Sequence, residues 1–166
     1  NARVHNSDVL MVVLDNGGTA MTGFQPHPGS GCDACGKPAP TVEIENICRA
    51  IGVEVRIRDP FEISQAVQDI YDMLQENGPR VMVFRRRCFR IEATEKLQKK
   101  YYVDQSKCIG DDCGCARFCS RVFNCPGIIW DPEAQKAKID DVVCTGCGVC
   151  ATLCPGGAII VRGAAS

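Results

Sequence analysis

Hydrophobic residues in the first hundred positions alternate between continuous strand-like runs and helical spacing. Residues 9–14 form an unbroken apolar run, which is typical of a strand covered on both faces. Residues 41–51 place apolar side chains at helical intervals before Gly52, and residues 53–57 resemble a second strand. This alternation predicts an α/β domain in this part of the chain.

A second helix and a third strand are predicted next. Asp59 is expected as the N-cap, Pro60 as the first helical residue and Glu62 as the partner in a capping box. Residues 80–84 follow as a strand. The order strand, helix, strand, helix, strand favours a parallel sheet with right-handed crossovers, and ligands bind such sheets beyond the carboxyl ends of the strands. Residues 15–29 lie at such an end.

The segment 15–29 combines glycines with side-chain oxygens. Glycines allow a close approach of the backbone to a ligand, and Asp15 and Asn16 offer oxygens to a hard cation such as Mg²⁺. Mg²⁺ held by few protein oxygens commonly bridges to phosphates, which makes this loop a candidate site for an anionic cofactor. The alternative is an irregular turn in which Asp15 and Asn16 cap their own backbone.

The last third of the chain is rich in cysteine and ends in the run C-x₂-C-x₂-C-x₃-C-P, formed by Cys144, Cys147, Cys150 and Cys154. In bacterial ferredoxins the first three cysteines of this run hold one [4Fe–4S] cluster and the fourth holds the other. The motif therefore predicts a second array and a ferredoxin-type electron carrier.

An upstream array repeats the pattern more loosely, with a strand end before its first cysteine and a Cys-Pro before an apolar strand. Its first and last cysteines are 17 residues apart, against 10 in the second array, and it has one cysteine more. Its members are Cys108, Cys113, Cys115, Cys119 and Cys125. We expect Cys125 to join Cys144, Cys147 and Cys150 on one cluster. Cys154 is expected to join three of Cys108, Cys113, Cys115 and Cys119, of which one is spare.

Zinc binding is a weaker prediction for the cysteines, and a disulfide framework is weaker still. C-x₂-C pairs can bind zinc, but zinc requires neither the C-x₂-C-x₂-C-x₃-C-P run nor a duplicated half.

The net charge of −1, the lack of an apolar run of membrane length and the cysteine content together favour a cytoplasmic protein without a membrane or nucleic-acid partner. The one basic cluster, residues 85–87 with Arg90, is either a solvated strand end or a site for phosphates.

The segment Leu14-Asp-Asn-x-x-Thr-Ala-Met-Thr-Gly-x-Gln-Pro-His-Pro-Gly29, Arg86-x-Cys88 and the cysteine arrays together resemble indolepyruvate-type alpha subunits of the 2-oxoacid:ferredoxin oxidoreductase family. The resemblance implies a thiamine diphosphate-binding α/β domain over residues 1–100, with a parallel sheet that is incomplete at its N-terminus. It implies an α+β bacterial-type two-cluster ferredoxin domain over residues 101–166. The implied cofactors are thiamine diphosphate, Mg²⁺ and two [4Fe–4S] clusters.

The resemblance also implies roles for residues of the loop. Asn16 is expected to give a side-chain oxygen and Gly18 a carbonyl oxygen to Mg²⁺. Asp15, Thr19 and Gln25 are expected in or next to the cofactor site, and His27 could face the substrate. The implied reaction is the oxidative decarboxylation of a 2-oxo acid of the arylpyruvate type to an acyl-coenzyme A, with ferredoxin as the electron acceptor.

Two departures from the family pattern shape the expectation. In the family, a Gly-Asp-Gly or Gly-Asp-Ser element upstream of the first strand supplies another Mg²⁺ ligand, and that element is absent here. An upstream segment or a partner chain is therefore expected to complete the thiamine site, and a second oxidoreductase subunit is expected as a further partner. The chain also contains Cys32-Asp-Ala-Cys35, which is either redox-active, metal-binding or a spare pair. The alternative function is a non-catalytic iron–sulfur electron-transfer subunit of a larger redox complex.

Overall fold

The computed structural model describes residues 1–88, 99–113 and 117–162. The chain divides into two compact units, Asn1–Thr94 and Glu95–Ser166. The division lies close to the boundary that we predicted at residue 100. Arg90 and Cys115 lie outside the described residues.

The first unit is a three-stranded parallel sheet with helical connections. Its strands lie in the order β1-β3-β2, and β3 pairs with β1 from Val9↔Pro79 to Asp15↔Arg85. The order of elements matches the predicted alternation. The elements are α1 (Ala2–His5), β1 (Val9–Asp15), α2 (Ile44–Ala50), β2 (Glu54–Arg58), α3 (Ile63–Gln75) and β3 (Pro79–Arg85).

Central strand β3 supplies the core of this unit on both of its faces. Successive strand residues point to opposite sides. Met82 accordingly packs in a cluster with Met73 of α3, while Val83 packs with Val53 in a second cluster that includes half-buried Cys48 of α2. Cys48 therefore packs against the core of this unit.

Two sequence predictions for this unit were wrong. Strand β1 is not covered on both faces: it pairs with β3 along one edge, and Leu14 and Met11 are 75% and 59% exposed. Helix α3 does not begin after an Asp59 cap. Asp59 instead accepts the backbone N–H of Phe61 at 2.9 Å in a turn of its own, and the helix starts at Ile63 without a side-chain cap. The local turn therefore consumes the carboxylate that was expected to cap the helix.

In its described residues, the second unit contains two antiparallel strand pairs, a short α-helix and the helical turns Gly110–Asp112 and Phe118–Val122. The strand before the first cysteine array pairs with the strand after the second, and the two inner strands pair with each other. Asp104 and Asp140 occupy equivalent turns, since each backbone carbonyl accepts the N–H of the first cysteine of its array, at 3.0 and 2.8 Å. The predicted internal repeat thus has matching local structure. The elements are β4 (Tyr101–Val103), β5 (Ile128–Asp131), β6 (Lys136–Ile139), α4 (Val149–Leu153) and β7 (Ile159–Val161).

Within the described ranges, we find no helix with the length and apolar character needed to cross a membrane.

Candidate functional site

Eight cysteines of the second unit surround two separate cavities. The first cysteine cavity is lined by Cys108, Cys113, Cys119 and Cys154. The second cysteine cavity is lined by Cys125, Cys144, Cys147 and Cys150. Each set takes three cysteines from one array and one from the other. These are the groupings that the C-x₂-C-x₂-C-x₃-C-P motif predicted, although their ligation of iron stays a prediction.

Helix α4 separates the last two cysteines of the second array. Cys150 lies buried within the helix, and Cys154 follows its end, where it extends to the other cavity. The backbone turns to β-conformation at Cys154 because Pro155 disfavours helix at the preceding residue. The chain therefore leaves the helix at Cys154, which lines the first cysteine cavity.

Both cavities concentrate thiols away from water. The pKa of the Cys150 thiol is raised to about 12, first by burial and then by the neighbouring Cys125, Cys147 and Cys144. Burial and Cys113 likewise raise the pKa of Cys119. Thiolates held this close require compensating positive charge, which fits the bonding of an iron–sulfur cluster.

Among the described side chains, no three His, Cys, Asp or Glu residues form a group that could hold a metal ion directly. The thiols of each set are instead spread around a cavity. Cys115 lies outside the described residues, so whether it is the spare cysteine stays open at this point.

The loop after β1 gathers the residues predicted for Mg²⁺, and their oxygens already have partners. The Oδ1 of Asn16 accepts the N–H of Gly18 at 3.2 Å, so both candidate ligands belong to one turn. Gly18 is buried, and its carbonyl accepts the N–H of Ala20 at 2.9 Å. Because amide and carbonyl oxygens each have two lone pairs, both retain the capacity to bind a cation.

Asp15 has a different environment from Asn16. Its Oδ1 accepts the N–H of Gly17 at 3.2 Å, and its Oδ2 accepts Nε of Arg85 at 2.8 Å. Both carboxylate oxygens are thus engaged in holding the loop to the end of β3. The backbone adds to this attachment, since the N–H of Cys88 donates to the carbonyl of Asn16 at 2.8 Å.

Thr19 and Gln25 shape the distal part of the loop. The N–H of Thr19 donates to the carbonyl of Gln25 at 3.2 Å, and Gln25 Nε2 donates to the carbonyl of Thr22 at 2.6 Å. Both residues are exposed. Their polar groups therefore close a small hairpin. Among the described residues, neither Thr19 nor Gln25 forms a hydrogen bond with Asn16.

Sequence analysis missed Glu45, which binds the other side of Arg85. The guanidinium donates from Nη1 to Oε1 at 2.9 Å and from Nη2 to Oε2 at 2.7 Å, a bidentate pair. The hydrogen bond from Arg85 holds the pKa of buried Glu45 at about 2, and the same pairs with Glu45 and Asp15 raise the pKa of Arg85. No motif signals this contact, because it joins the first turn of α2 to the end of β3.

Arg86, the next residue of the basic cluster, is also engaged. Nη1 of Arg86 lies 2.6 Å from Oδ2 of Asp59, and its guanidinium stacks 3.9 Å from the centre of the Phe61 ring. Arg85 and Arg86 are therefore ion-paired, which fits neither a solvated strand end nor an open phosphate site. Arg87 contributes to the wall of a neighbouring cavity.

That cavity has a volume of about 560 Å³ and lies at the carboxyl ends of β1 and β3. Such a volume falls in the range of small-molecule sites. His27 is in its wall, with Nδ1 accepting the N–H of Gly29 at 3.0 Å. The other residues that line it are Asp15, Gly17, Pro28, Gly29, Ser30, Thr41, Val42, Glu43, Ile44, Arg85 and Arg87.

The Cys32–Cys35 segment forms a tight turn in which Asp33 is central. Its Oδ1 accepts the N–H groups of Cys35 at 2.8 Å and of Lys37 at 2.9 Å. Cys35 is exposed, and the Sγ of Cys32 lies 3.7 Å from the Oγ of Ser30. Within the described residues neither cysteine forms a disulfide.

Comparison with known proteins identifies the class to which this architecture belongs. Residues 1–84 match the family model of the C-terminal TPP-binding domain of thiamine pyrophosphate enzymes, thiamine pyrophosphate being another name for thiamine diphosphate. Residues 137–160 match the model of the 4Fe-4S binding domain. The chain therefore belongs to the thiamine pyrophosphate enzymes through their C-terminal domain, followed here by a ferredoxin-type domain. These matches confirm the predicted fold class and cofactor types.

Individual relatives show which proteins within this class the chain is similar to. Indolepyruvate oxidoreductase subunit IorA of Pyrococcus abyssi is 40% identical over 161 residues, which are 93% of this chain and 24% of that protein. The subunit IorA of Archaeoglobus fulgidus is 36% identical over 160 residues, 96% of this chain and 25% of that protein. The resemblance to the indolepyruvate-type alpha subunit is thus confirmed, and the chain spans about a quarter of these relatives' length.

A third relative covers the cysteine-rich part alone. An uncharacterized ferredoxin of Methanocaldococcus jannaschii is 40% identical over 63 residues, 36% of this chain and 90% of that protein. No solved structure matches the chain.

Proposed function

We propose that the chain is part of a thiamine diphosphate-dependent 2-oxoacid:ferredoxin oxidoreductase. The enzyme oxidatively decarboxylates a 2-oxo acid of the arylpyruvate type, transfers the acyl group to coenzyme A and passes electrons through two [4Fe–4S] clusters to ferredoxin. One observation carries the proposal: a thiamine-type parallel sheet and two four-cysteine cavities occur in a single chain.

The loop after β1 would hold the diphosphate through Mg²⁺. When bound, thiamine diphosphate supplies the carbon centre that adds to a 2-oxo acid and lets carbon dioxide leave. Asn16 and Gly18 would give oxygens to Mg²⁺, since their turn brings them together and their oxygens keep spare lone pairs. Asp15 is assigned a positioning role, because Gly17 and Arg85 occupy both of its oxygens. Thr19 and Gln25 would keep the hairpin closed.

The two cysteine cavities would hold the clusters. Cys108, Cys113, Cys119 and Cys154 form one complete set of four ligands, and Cys125, Cys144, Cys147 and Cys150 form the other. We assign Cys115 as the spare cysteine on this basis. Each cluster would use both arrays, so the fold of the unit and the binding of iron are coupled.

The rest of the enzyme would come from other segments or chains. The Gly-Asp-Gly or Gly-Asp-Ser element expected for Mg²⁺ does not precede β1 in this sequence, so an upstream segment or a partner chain would supply it, and a second oxidoreductase subunit would complete the assembly. A cytoplasmic location suits the free thiols of the described cysteines.

One observation favours the second candidate, an iron–sulfur electron-transfer subunit without thiamine chemistry. The oxygens of Asp15, Asn16 and Gly18 all accept hydrogen bonds from the protein itself, as a purely structural turn would require. The two candidates differ in one respect that can be measured, which is the presence of thiamine diphosphate.

The deciding experiment is anaerobic purification of the native complex, with thiamine diphosphate, Mg and iron counted per copy of this chain. The proposed enzyme requires one thiamine diphosphate and about eight iron atoms, as two [4Fe–4S] clusters contain. Eight iron atoms without thiamine diphosphate, with all partner chains retained, would overturn the enzyme in favour of the electron carrier. An Asn16→Ala variant tests the loop: it should lose thiamine diphosphate and Mg but keep its iron.

A further inference from the structure

The first cysteine array is longer than the second, and its extra residues bring an arginine to the cysteines. Arg117 lies between Cys113 and Cys119 in the chain and begins the π-helical turn Phe118–Val122. Its φ of 66° is in the left-handed region, which few non-glycine residues adopt. The second array has no corresponding insertion.

The guanidinium of Arg117 is held against the first cysteine cavity. It lies 4.6 Å from the centre of the Trp130 ring, and both residues line that cavity. Its Nε is 3.0 Å from Oδ1 of Asp111, an ion pair without the alignment of a hydrogen bond. The Asp111 side chain is 57% exposed and Arg117 is 29% exposed, so water screens the carboxylate more than the guanidinium.

Two backbone N–H groups also donate to sulfur atoms of the same cavity. The N–H of Phe118 lies 3.2 Å from Sγ of Cys113, and the N–H of Ala158 lies 3.3 Å from Sγ of Cys154. Phe118 belongs to the turn that Arg117 begins. The insertion therefore supplies both a positive charge and a hydrogen-bond donor to one set of cysteines.

The second cysteine cavity lacks both features among the residues that the structure describes. Among the described residues, its wall contains Tyr101, Phe123 and Val143 but no Lys, Arg, Asp or Glu, and the backbone N–H···S bonds of this unit reach only sulfurs of the first cavity. Cys150 of this cavity is also buried, with only 7% of its surface exposed. The two cavities thus differ in charge and in hydrogen bonding to sulfur, which are two of the properties that set the potential of a cluster.

We propose that Arg117 makes the cluster of the first cysteine cavity the more readily reduced of the two. The proposal rests on the proposed function, because it requires both clusters. Reduction adds one electron and one negative charge to a cluster, and a nearby positive charge and N–H···S bonds stabilise that charge. At equilibrium the electron therefore resides on the cluster of Cys108, Cys113, Cys119 and Cys154.

The test is an anaerobic redox titration of the native complex, followed by electron paramagnetic resonance, with variants at Arg117. In the wild type, the two clusters should be reduced at separate potentials. Arg117→Gln should lower the midpoint potential of the signal that is reduced first and leave the other signal in place. Arg117→Lys keeps the charge and should restore most of the loss.

Two further variants keep the test decisive if Arg117→Gln fails to fold. Asp111→Asn removes an exposed counter-charge from Arg117 and should raise the potential of the same signal. Arg121→Gln is the matched control, because it removes the same charge from an exposed residue of the same turn that does not line the cavity. It should leave both potentials unchanged.

The outcomes separate this proposal from the proposed function. Iron and sulfide counts below those of two clusters in the wild type would overturn the two-cluster function itself. Two intact clusters whose potentials do not respond to Arg117→Gln or Asp111→Asn would overturn the role of Arg117 alone. An equal shift of both signals, or an equal effect of Arg121→Gln, would do the same, since it would show only a general effect of charge.

Discussion

The hydrophobic cores of the two units consist of different residue types. The largest fully buried side chains in the described residues, Met73, Met82 and Val83, all belong to the first unit. The core of the second unit is a cluster of buried residues around Tyr101 and Ile159 that includes Cys150, and half-buried cysteines pack against it. The core of the first unit is therefore largely aliphatic, whereas the core of the second is built together with the cysteines and depends in part on what they bind.

Loss of iron should have the largest effect and should affect the second unit alone. Removal of iron from the native complex by an anaerobic chelator is expected to abolish amide-exchange protection in residues 101–162, because Cys150 belongs to the core of this unit and five half-buried cysteines pack against that core. Residues 9–85 should keep their protection. Hydrogen exchange with peptide-level mass spectrometry reports both units in one sample.

A cysteine pair provides the control for this prediction. Cys150→Ala removes a buried member of the second cavity and should reproduce the effect of the chelator, while Cys35→Ser, at an exposed turn of the first unit, should not. Persistent protection of residues 101–162 after iron is lost would show that the second unit has a sufficient core of its own.

The converse change should affect the first unit alone. Met82→Ala leaves a cavity in the centre of the sheet, which typically costs about 2–5 kcal/mol in the free energy of unfolding. Met21→Ala at a 99% exposed position is the control and should change stability by less than about 0.5 kcal/mol. Chemical denaturation followed by peptide-level hydrogen exchange measures both. An equal loss in residues 101–162 would contradict the independence of the two cores.

Acid should weaken the first unit through Glu45. Its pKa falls from an ordinary value of 4.5 to about 2 in the folded chain, so its pairing stabilises the fold above pH 4.5 and is lost as the pH falls toward 2. The contribution is on the order of 2 kcal/mol, because solvent screens the partly exposed Arg85. Glu45→Gln should flatten the dependence of unfolding free energy on pH between about 5 and 2.

A matched variant distinguishes this pair from general acid effects. Glu54→Gln removes a carboxylate that pairs with Arg56 but is itself 53% exposed, and its pH dependence should follow the wild type. If Glu45→Gln and the wild type lose stability in parallel, the Arg85–Glu45 pair does not stabilise the first unit.

The smallest expected effect concerns a glycine of the second unit. Gly148 precedes α4 with a φ of 81°, and a Cβ atom there would lie 2.5 Å from the Tyr101 hydroxyl. Gly148→Ala should cost about 1–2 kcal/mol for the backbone conformation and more for the contact. Gly157→Ala, with a φ of 58° and open space around it, should show the backbone cost alone.

A double variant separates the two costs further. Adding Tyr101→Phe to Gly148→Ala removes the hydroxyl and should recover part of the stability lost by the glycine substitution. Thermal unfolding of the iron-loaded protein measures all three variants. Equal losses for Gly148→Ala and Gly157→Ala would mean that Tyr101 moves aside without cost.

The sequence was more informative about the second unit than about the first. The C-x₂-C-x₂-C-x₃-C-P run has a fixed chemical meaning, so it predicted the two sets of cysteines that the fold brings together. In the first unit, local patterns gave the order of strands and helices but failed at the start of α3 and at the exposure of β1. Capping and burial depend on neighbours that are distant in the chain.

In the candidate cofactor loop, the roles of single residues likewise depend on neighbours that are distant in the chain. The sequence singled out Asp15 and Asn16 together, because both carry side-chain oxygens. The structure separates their roles: Arg85, 70 residues later, engages Asp15, while Asn16 turns back to Gly18. The sequence could not predict the pairing of Glu45 with Arg85, because only the packing of α2 beside β3 brings the two residues together.

By itself, the sequence determined the two-part organisation, the internal repeat, the parallel α/β order and the spacing of the cysteines. These properties are local, since they follow from residue type and from separations of a few positions. Tertiary structure alone decided which strand is central, which carboxylates pair with Arg85 and which cavity receives Arg117. Those contacts join residues far apart in the chain, and their free energies arise only when folding removes the partners from water.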